Sequence, residues 1–203
     1  MIKPELTNIK DLNEFYTKLR DIHAKTHGEE YVAHHKAIEN CINDNDVKVV
    51  KELGVCQGAT LAKMLLCKPD IVHGYDILPR YFDPYKHLFE SYSKENKINF
   101  KFYDISSVSI NSVSMCDMLH IDTLHQPRQL IQELRLHGPT VKKYIVFHDT
   151  SNYPGANGLL KTIAEYITEW DQNWKIVDHY IQRVGYTVIQ REKKLPYVNR
   201  EKK

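Results

Sequence analysis

The sequence predicts an α/β protein: a mostly parallel seven-stranded sheet flanked by helices, closed by an antiparallel C-terminal hairpin and preceded by N-terminal helices. Three observations support this. From Val47 onward, short apolar runs alternate with stretches of helical spacing, as in a parallel sheet with crossover helices. A glycine-bearing turn, Glu52-Leu53-Gly54-Val55-Cys56-Gln57-Gly58, joins the first apolar run to a helix. The last two apolar runs are separated only by Gln182-Arg183-Val184-Gly185, enough for a hairpin and too short for a parallel crossover.

Residues 1–46 carry two apolar stripes at helical spacing: Leu12, Phe15, Tyr16 and Leu19, then Tyr31, His34, His35, Ile38, Cys41 and Ile42. They read as two helices that lean on something else. The strands expected after them are Val47–Leu53, Ile71–Tyr75, Asn99–Tyr103, Met115–Ile121 and Tyr144–Phe147. Helices are expected near Ala59–Leu66, Pro84–Glu95, Pro127–Leu136 and Gly158–Glu169, in five β-then-α steps. Lys175–Ile181 and Tyr186–Gln190 form the hairpin. The expected organisation is an N-terminal helical cap (1–46), a core (47–190) and a basic, flexible tail (191–203) with six basic and two acidic residues.

Bulk properties exclude several classes. At 203 residues the chain holds one domain with a sizeable core. A net charge of +2 gives no electrostatic footprint that would demand nucleic acid. Cys41, Cys56, Cys67 and Cys116 are scattered without a CxxC pair, and read as reduced intracellular thiols rather than a disulfide framework. No window approaches the ~18 apolar residues of a membrane span. The expectation is a soluble, cytoplasmic protein that engages no membrane and no nucleic acid, with homo-oligomerisation left open.

In open α/β sheets, ligands bind beyond the carboxyl ends of the strands, where the first strand turns into the first helix. Glu52-x-Gly54-x-x-x-Gly58 occupies that turn. Its spacing is not the Gly-x-Gly-x-x-Gly of dinucleotide enzymes, and no Gly-Lys-Ser/Thr follows to hold a triphosphate. Asp76 ends the second strand, 18 positions after Gly58, where a carboxylate can accept both hydroxyls of a ribose. Asp104 ends the third.

Together, Glu52-x-Gly54-x-x-x-Gly58, Tyr75-Asp76 and Tyr103-Asp104 resemble the motifs of class I S-adenosylmethionine-dependent methyltransferases. The resemblance covers roughly residues 47–190 and implies their Rossmann-like fold. It places Gly54 and Gly58 against the methionine portion of the cofactor, Asp76 on the ribose, and Asp104 or Ile105 beside the adenine. Glu52 orients the loop and the cofactor's amino group, and Asp122 borders the same pocket. On residues alone, the glycines could instead serve only close packing, with Asp76 and Asp104 as helix caps.

A second constellation lies at the ends of the fourth and fifth strands: Ile121-Asp122-Thr123-Leu124-His125 and Val146-Phe147-His148-Asp149-Thr150. Neighbouring parallel strands lie ~4.8 Å apart, so their terminal side chains can converge on one ion or one acceptor hydroxyl. Oxygen ligands with one imidazole suit Mg²⁺ or Mn²⁺ better than zinc. The pattern resembles a subgroup of small sugar and natural-product O-methyltransferases and cephalosporin-hydroxylase-like proteins. That resemblance implies Asp122 and Asp149 as cation ligands, His148 as a third ligand or an acid/base, and His125 as a group behind the ligands or on the acceptor side; His148, Asp122 and His125 are the candidate catalytic residues. Two departures stand out. Thr123 replaces a glycine common after the first Asp, and Pro139-Thr140-Val141-Lys142-Lys143 replaces a Pro-Gly-Gly turn.

His23, His27, His34 and His35 lack the ligand spacing of a zinc site; the expectation is a helical cover over the cofactor pocket, with His34 or His35 partly buried. Leu78–Tyr85 could line the acceptor site or pack in the core. The functional expectation is a small-molecule O-methyltransferase using S-adenosylmethionine, with a divalent cation and an acceptor such as a sugar. The alternative is a non-catalytic S-adenosylmethionine-binding or interaction protein of the same fold.

Overall fold

The computed structural model describes residues 6, 8–43, 46–151 and 158–192. The chain opens with α1 (Leu12–His27), started by Asp11, whose side chain accepts from the Glu14 N–H while the Lys10 N–H donates to the Glu14 carboxylate. Gly28, at φ +72°, lets the chain reverse into α2 (Glu29–Asn43). The elements that follow are β1 (Val49–Leu53), α3 (Ala59–Leu66), β2 (Ile71–Asp76), α4 (Lys86–Asn96), β3 (Asn99–Asp104), β4 (Cys116–Ile121), α5 (Pro127–His137), β5 (Val141–His148), α6 (Leu159–Glu165), β6 (Trp174–Tyr180) and β7 (Tyr186–Arg191). No helix among the described residues is long and apolar enough to cross a membrane.

The seven strands form one sheet in the order β3-β2-β1-β4-β5-β7-β6. Neighbours are parallel except where β7 inserts antiparallel between β5 and β6. The expected sheet and closing hairpin are therefore both present. Two cores result, one on each face. Leu12, Phe15, Leu19, Ile38, Leu61 and Phe89 from α1–α4 pack on one, and Leu130, Leu134, Leu159 and Ile163 from α5 and α6 on the other.

Several expectations need correction. The β3–β4 crossover, residues 105–115, carries no helix, so there are four β-then-α steps rather than five. Its Ser- and Asn-rich run, Ile105-Ser-Ser-Val-Ser-Ile-Asn-Ser-Val113, has side chains that compete with helical backbone bonds, while Val113 is buried. β1 starts at Val49 instead of Val47, because the Lys48 and Val49 N–H groups both donate to the Asp117 carboxylate, at 2.9 Å each. α6 ends at Glu165 and continues as a π-turn over Tyr166–Trp170.

Arg191, grouped with the tail by its charge, is the last residue of β7 and is buried. Its guanidinium donates to the carbonyls of Val141 and Gly138, each at 3.0 Å, and pairs with Asp171 at 3.0 Å. These partners let a cation lie inside the fold. The rest of the expected tail, 193–203, lies outside the described residues.

Candidate active site

The glycine turn leaves β1 beneath the end of β4. Gly54 has φ +86°, and a Cβ there would run into the Asp122 carbonyl, so the turn requires both the conformation and the size of glycine. Gly58, at φ +90°, starts α3, and a Cβ would lie 2.9 Å from Phe89 Cζ and 3.0 Å from Phe82 Cε2. Its side-chain direction is thus filled by the aromatic core. Phe82 is fully buried, so at least this residue of the 78–85 segment serves packing.

Asp76 closes the turn from β2. Its Oδ2 accepts the Val55 and Cys56 N–H groups at 2.8 and 2.7 Å, and Oδ1 accepts the Leu78 N–H at 2.7 Å. An oxygen accepting two such bonds has both lone pairs in use. The expected two-oxygen grip on a ribose is therefore reduced to what Oδ1 still offers. Asp104 pairs in register with Asp76 and is exposed, and the neighbouring Ile105 is partly buried.

On the sheet face covered by α2, a row of polar side chains runs across three strands. Glu52 of β1 stands in register with His120 of β4, His120 with Val146 of β5, and His148 lies two residues beyond Val146 on the same face. Glu30 and His34, one helical turn apart on α2, lie over this row. Glu52 Oε1 is 3.1 Å from His120 Nδ1, and His120 Nε2 is 3.1 Å from His34 Nε2. His34 in turn stacks on His148.

Burial sets the charge of this row. Together with the nearby Asp122 and Asp76 carboxylates, it pushes the Glu52 carboxyl well above its usual range. Burial lowers His120 to about 4 and holds His34 well below the ordinary imidazole value, so both rings are neutral at pH 7. Both His34 and His35 are fully buried rather than one of them partly so; His35 Nδ1 meets the Tyr16 hydroxyl at 3.0 Å.

At the row's end lies the convergence of strand termini. One ligand atom each from Asp122, His148 and Asp149 falls within 4.8 Å of the others. His148 Nδ1 is 3.4 Å from Asp122 Oδ2 and 3.5 Å from Asp149 Oδ1. His125 Nε2 sits between the two carboxylates, 3.0 Å from Asp122 Oδ1 and 2.7 Å from Asp149 Oδ2. His125 and Asp149 hold left-handed backbone, φ +31° and +56°, a sparsely occupied region for residues other than glycine. A void of about 10 Å³ borders Thr123, His125, His148 and Thr150, room for about one water.

Here charge attraction defeats desolvation. Burial favours a neutral Asp122, but the adjacent His148 charge and the His125 and His148 hydrogen bonds hold its carboxyl well below the usual range. Burial likewise opposes a charge on His125 and His148. Asp122 and Asp149 nevertheless raise His125 to about 9, and Asp122, Glu30 and Asp149 raise His148 well above the ordinary value. The two carboxylates thus already gather positive charge.

No protein-family model matches the chain, and no curated protein matches it. Solved structures do. An O-methyltransferase from Bacillus cereus, in complex with SAH, superposes with a TM-score of 0.61 at 13% identity, over 92% of this chain and 93% of that one. The N-methyltransferase NodS from Bradyrhizobium japonicum WM9, in complex with S-adenosyl-L-homocysteine, gives 0.57 at 11%, over 80% and 88%. The chain has the class I methyltransferase fold. It shares that fold with proteins that methylate oxygen and proteins that methylate nitrogen.

The structure brings Asp122, His125, His148 and Asp149 together, and sets Glu52, Gly54 and Asp76 around the turn beside them. Asp104 and Ile105 stay at the β3 end. Sequence reasoning missed Glu30 and His120. The signal for His120 was a histidine inside the otherwise apolar Met118-Leu119-His120-Ile121. The signal for Glu30 was its four-residue spacing from His34.

Proposed function

We propose that this chain is an S-adenosylmethionine-dependent methyltransferase that transfers the methyl group to a hydroxyl of a small molecule such as a sugar, assisted by a divalent cation. The observation that carries this reading is the convergence of two carboxylates and one imidazole within 4.8 Å at the ends of adjacent strands. Two hard oxygen donors and one nitrogen fit Mg²⁺ or Mn²⁺. The fold supports the cofactor, and the buried Glu52 Oε2, without a hydrogen-bond partner among the described residues, leaves a polar atom beside the turn for it.

In this reading Glu52, Gly54, Gly58, Asp76, Asp104, Ile105 and Asp122 hold the cofactor, and Asp122, His148 and Asp149 hold the cation. When bound, these groups supply an electrophilic methyl and a Lewis acid that makes a coordinated hydroxyl more acidic. Methyl transfer itself needs in-line positioning, a task this reading gives to the ends of β4 and β5. His125 holds a proton at Nε2 in proportion to the negative charge Asp122 and Asp149 direct at it. With a cation held by Asp122 and Asp149, less of their charge would act on His125, and the ring, once it had released its proton to solvent, would be free to serve as the base on the acceptor side.

Calorimetric titration with S-adenosylhomocysteine, with and without Mg²⁺, tests the reading. Binding is expected, and its absence under both conditions would remove the methyltransferase assignment. Asp122→Ala and Asp149→Ala should keep cofactor affinity and lose the effect of Mg²⁺; unchanged cation binding in both would refute the site. Cofactor binding without turnover on any hydroxylated acceptor would favour a non-catalytic S-adenosylmethionine-binding protein.

A further inference from the structure

Glu30 is 1% exposed, and neither of its carboxylate oxygens has a hydrogen-bond partner among the described residues. A buried carboxylate without hydrogen bonds destabilises the fold, so the position calls for a function. Its nearest opposite charge is His148 Nε2, 3.3 Å from Glu30 Oε1 and likewise without an aligned hydrogen bond. The other ring nitrogen, Nδ1, faces Asp122 and Asp149. His34, one turn along α2, covers the flat of the same ring at 4.4 Å between centroids.

We infer that Glu30 is a positioning residue for the cation site: it accepts a hydrogen bond from His148 Nε2–H, so that Nδ1, which faces Asp122 and Asp149, is the nitrogen that gives up its proton when a cation binds. This rests on the cation reading above. An imidazole can ligate only through a nitrogen free of its proton, and the partner of the other nitrogen decides which one that is. The 3.3 Å contact is within hydrogen-bond distance, and His34 stacked on the ring leaves it free to turn in its own plane toward an aligned bond. The N-terminal helices thereby become part of the site.

Mn²⁺ titration of the full chain, followed by the electron paramagnetic resonance of free Mn²⁺, tests this, together with imidazole ¹⁵N shifts of the Mg²⁺-saturated protein. The wild-type protein should bind Mn²⁺ and show His148 protonated at Nε2. Glu30→Leu, apolar and of similar volume, should weaken Mn²⁺ about 10- to 100-fold and lose the Nε2–H preference. Glu30→Gln, which keeps an acceptor, should retain the tautomer and lose less affinity.

Wild-type protein that binds no Mn²⁺ would overturn the cation reading and this inference together. Mn²⁺ binding unaffected in Glu30→Leu would overturn the inference alone. If Glu30→Leu fails to fold, a His148 protonated at Nδ1 in Mg²⁺-saturated wild type would still refute it.

Discussion

His34 lies flat against His148, with ring centroids 4.4 Å apart and planes 17° from parallel, joining a neutral imidazole to a charged one across the interface between α2 and the sheet. On one side of this contact, His34 and His120 are held neutral by burial. On the other, His148 and His125 are held protonated by carboxylates, against the effect of burial. The two halves of the cluster respond oppositely to pH.

His120 takes up a proton near 6.5 when unfolded but only near 4 when folded. Between those values the unfolded chain binds more protons, so stability should fall as pH drops through this window, by on the order of 3 kcal/mol from this ring. His125, raised to about 9, acts in the other direction: its contribution is complete below pH 6.5 and fades as pH rises through 9. Urea midpoints from pH 4.5 to 9.5 should pass through a maximum. In His120→Phe the acid limb should flatten; a limb as steep as in wild type would assign the loss to other groups.

Gly54→Ala places a methyl against the Asp122 carbonyl at a backbone φ of +86°. Strain and overpacking together should cost at least about 2 kcal/mol, and the β1–α3 turn should lose its shape. Denaturant unfolding measures the first effect and S-adenosylhomocysteine calorimetry the second. Wild-type values in both would show that the turn relaxes more freely than its contacts allow.

Asp76→Ala removes the acceptor of three backbone N–H groups, those of Val55, Cys56 and Leu78. Amide exchange at Val55 and Cys56 should accelerate, stability should fall by roughly 2 kcal/mol, and cofactor affinity should fall at least about tenfold, equivalent to ~1.4 kcal/mol. Asp76→Asn keeps one acceptor oxygen and should recover part of each. Unchanged amide exchange in the alanine variant would contradict the role assigned to this carboxylate.

The sheet was legible in the sequence because its signals are local: β-type apolar runs, the Gly54/Gly58 turn, and a four-residue gap between the last strands. Asp122 and His148 were legible because each follows directly from an apolar run and so had to emerge at a strand end, with Asp149 the next residue after His148. The pairing of Glu30 with His148 and of His34 with His120 was not, since it depends on how α2 sits across the sheet, which no local pattern encodes. Asp76 shows a different limit. Its place at the end of β2 was readable, but its two backbone N–H partners depend on the path of a turn twenty residues earlier. Arg191 shows a third: a basic residue at the edge of a basic run reads as solvated until Asp171 and two carbonyls are brought to it.

Arg191→Ala tests that last point. It strips Asp171 of its cation and takes one donor from each of the Val141 and Gly138 carbonyls, and it removes a guanidinium stacked 4.1 Å from the Trp174 ring centre. A loss of about 3–5 kcal/mol is expected. Arg191→Met, which keeps the packing volume, should cost less. A thermal melt within a degree of wild type for the alanine variant would mean that water replaces the guanidinium at no cost.

β7 lies between β5 and β6, although the chain reaches it after both. During synthesis β6 emerges with no strand to join, and the parallel sheet ends meanwhile at the bare edge of β5, the strand that carries His148 to the site. Only when Tyr186 arrives opposite His148 can that edge be sealed and β6 be taken up. The edge of the strand that carries His148 is thus covered only once β7 is in place. Until then the nascent chain exposes an unpaired strand edge, open to mispairing or to capture by a chaperone.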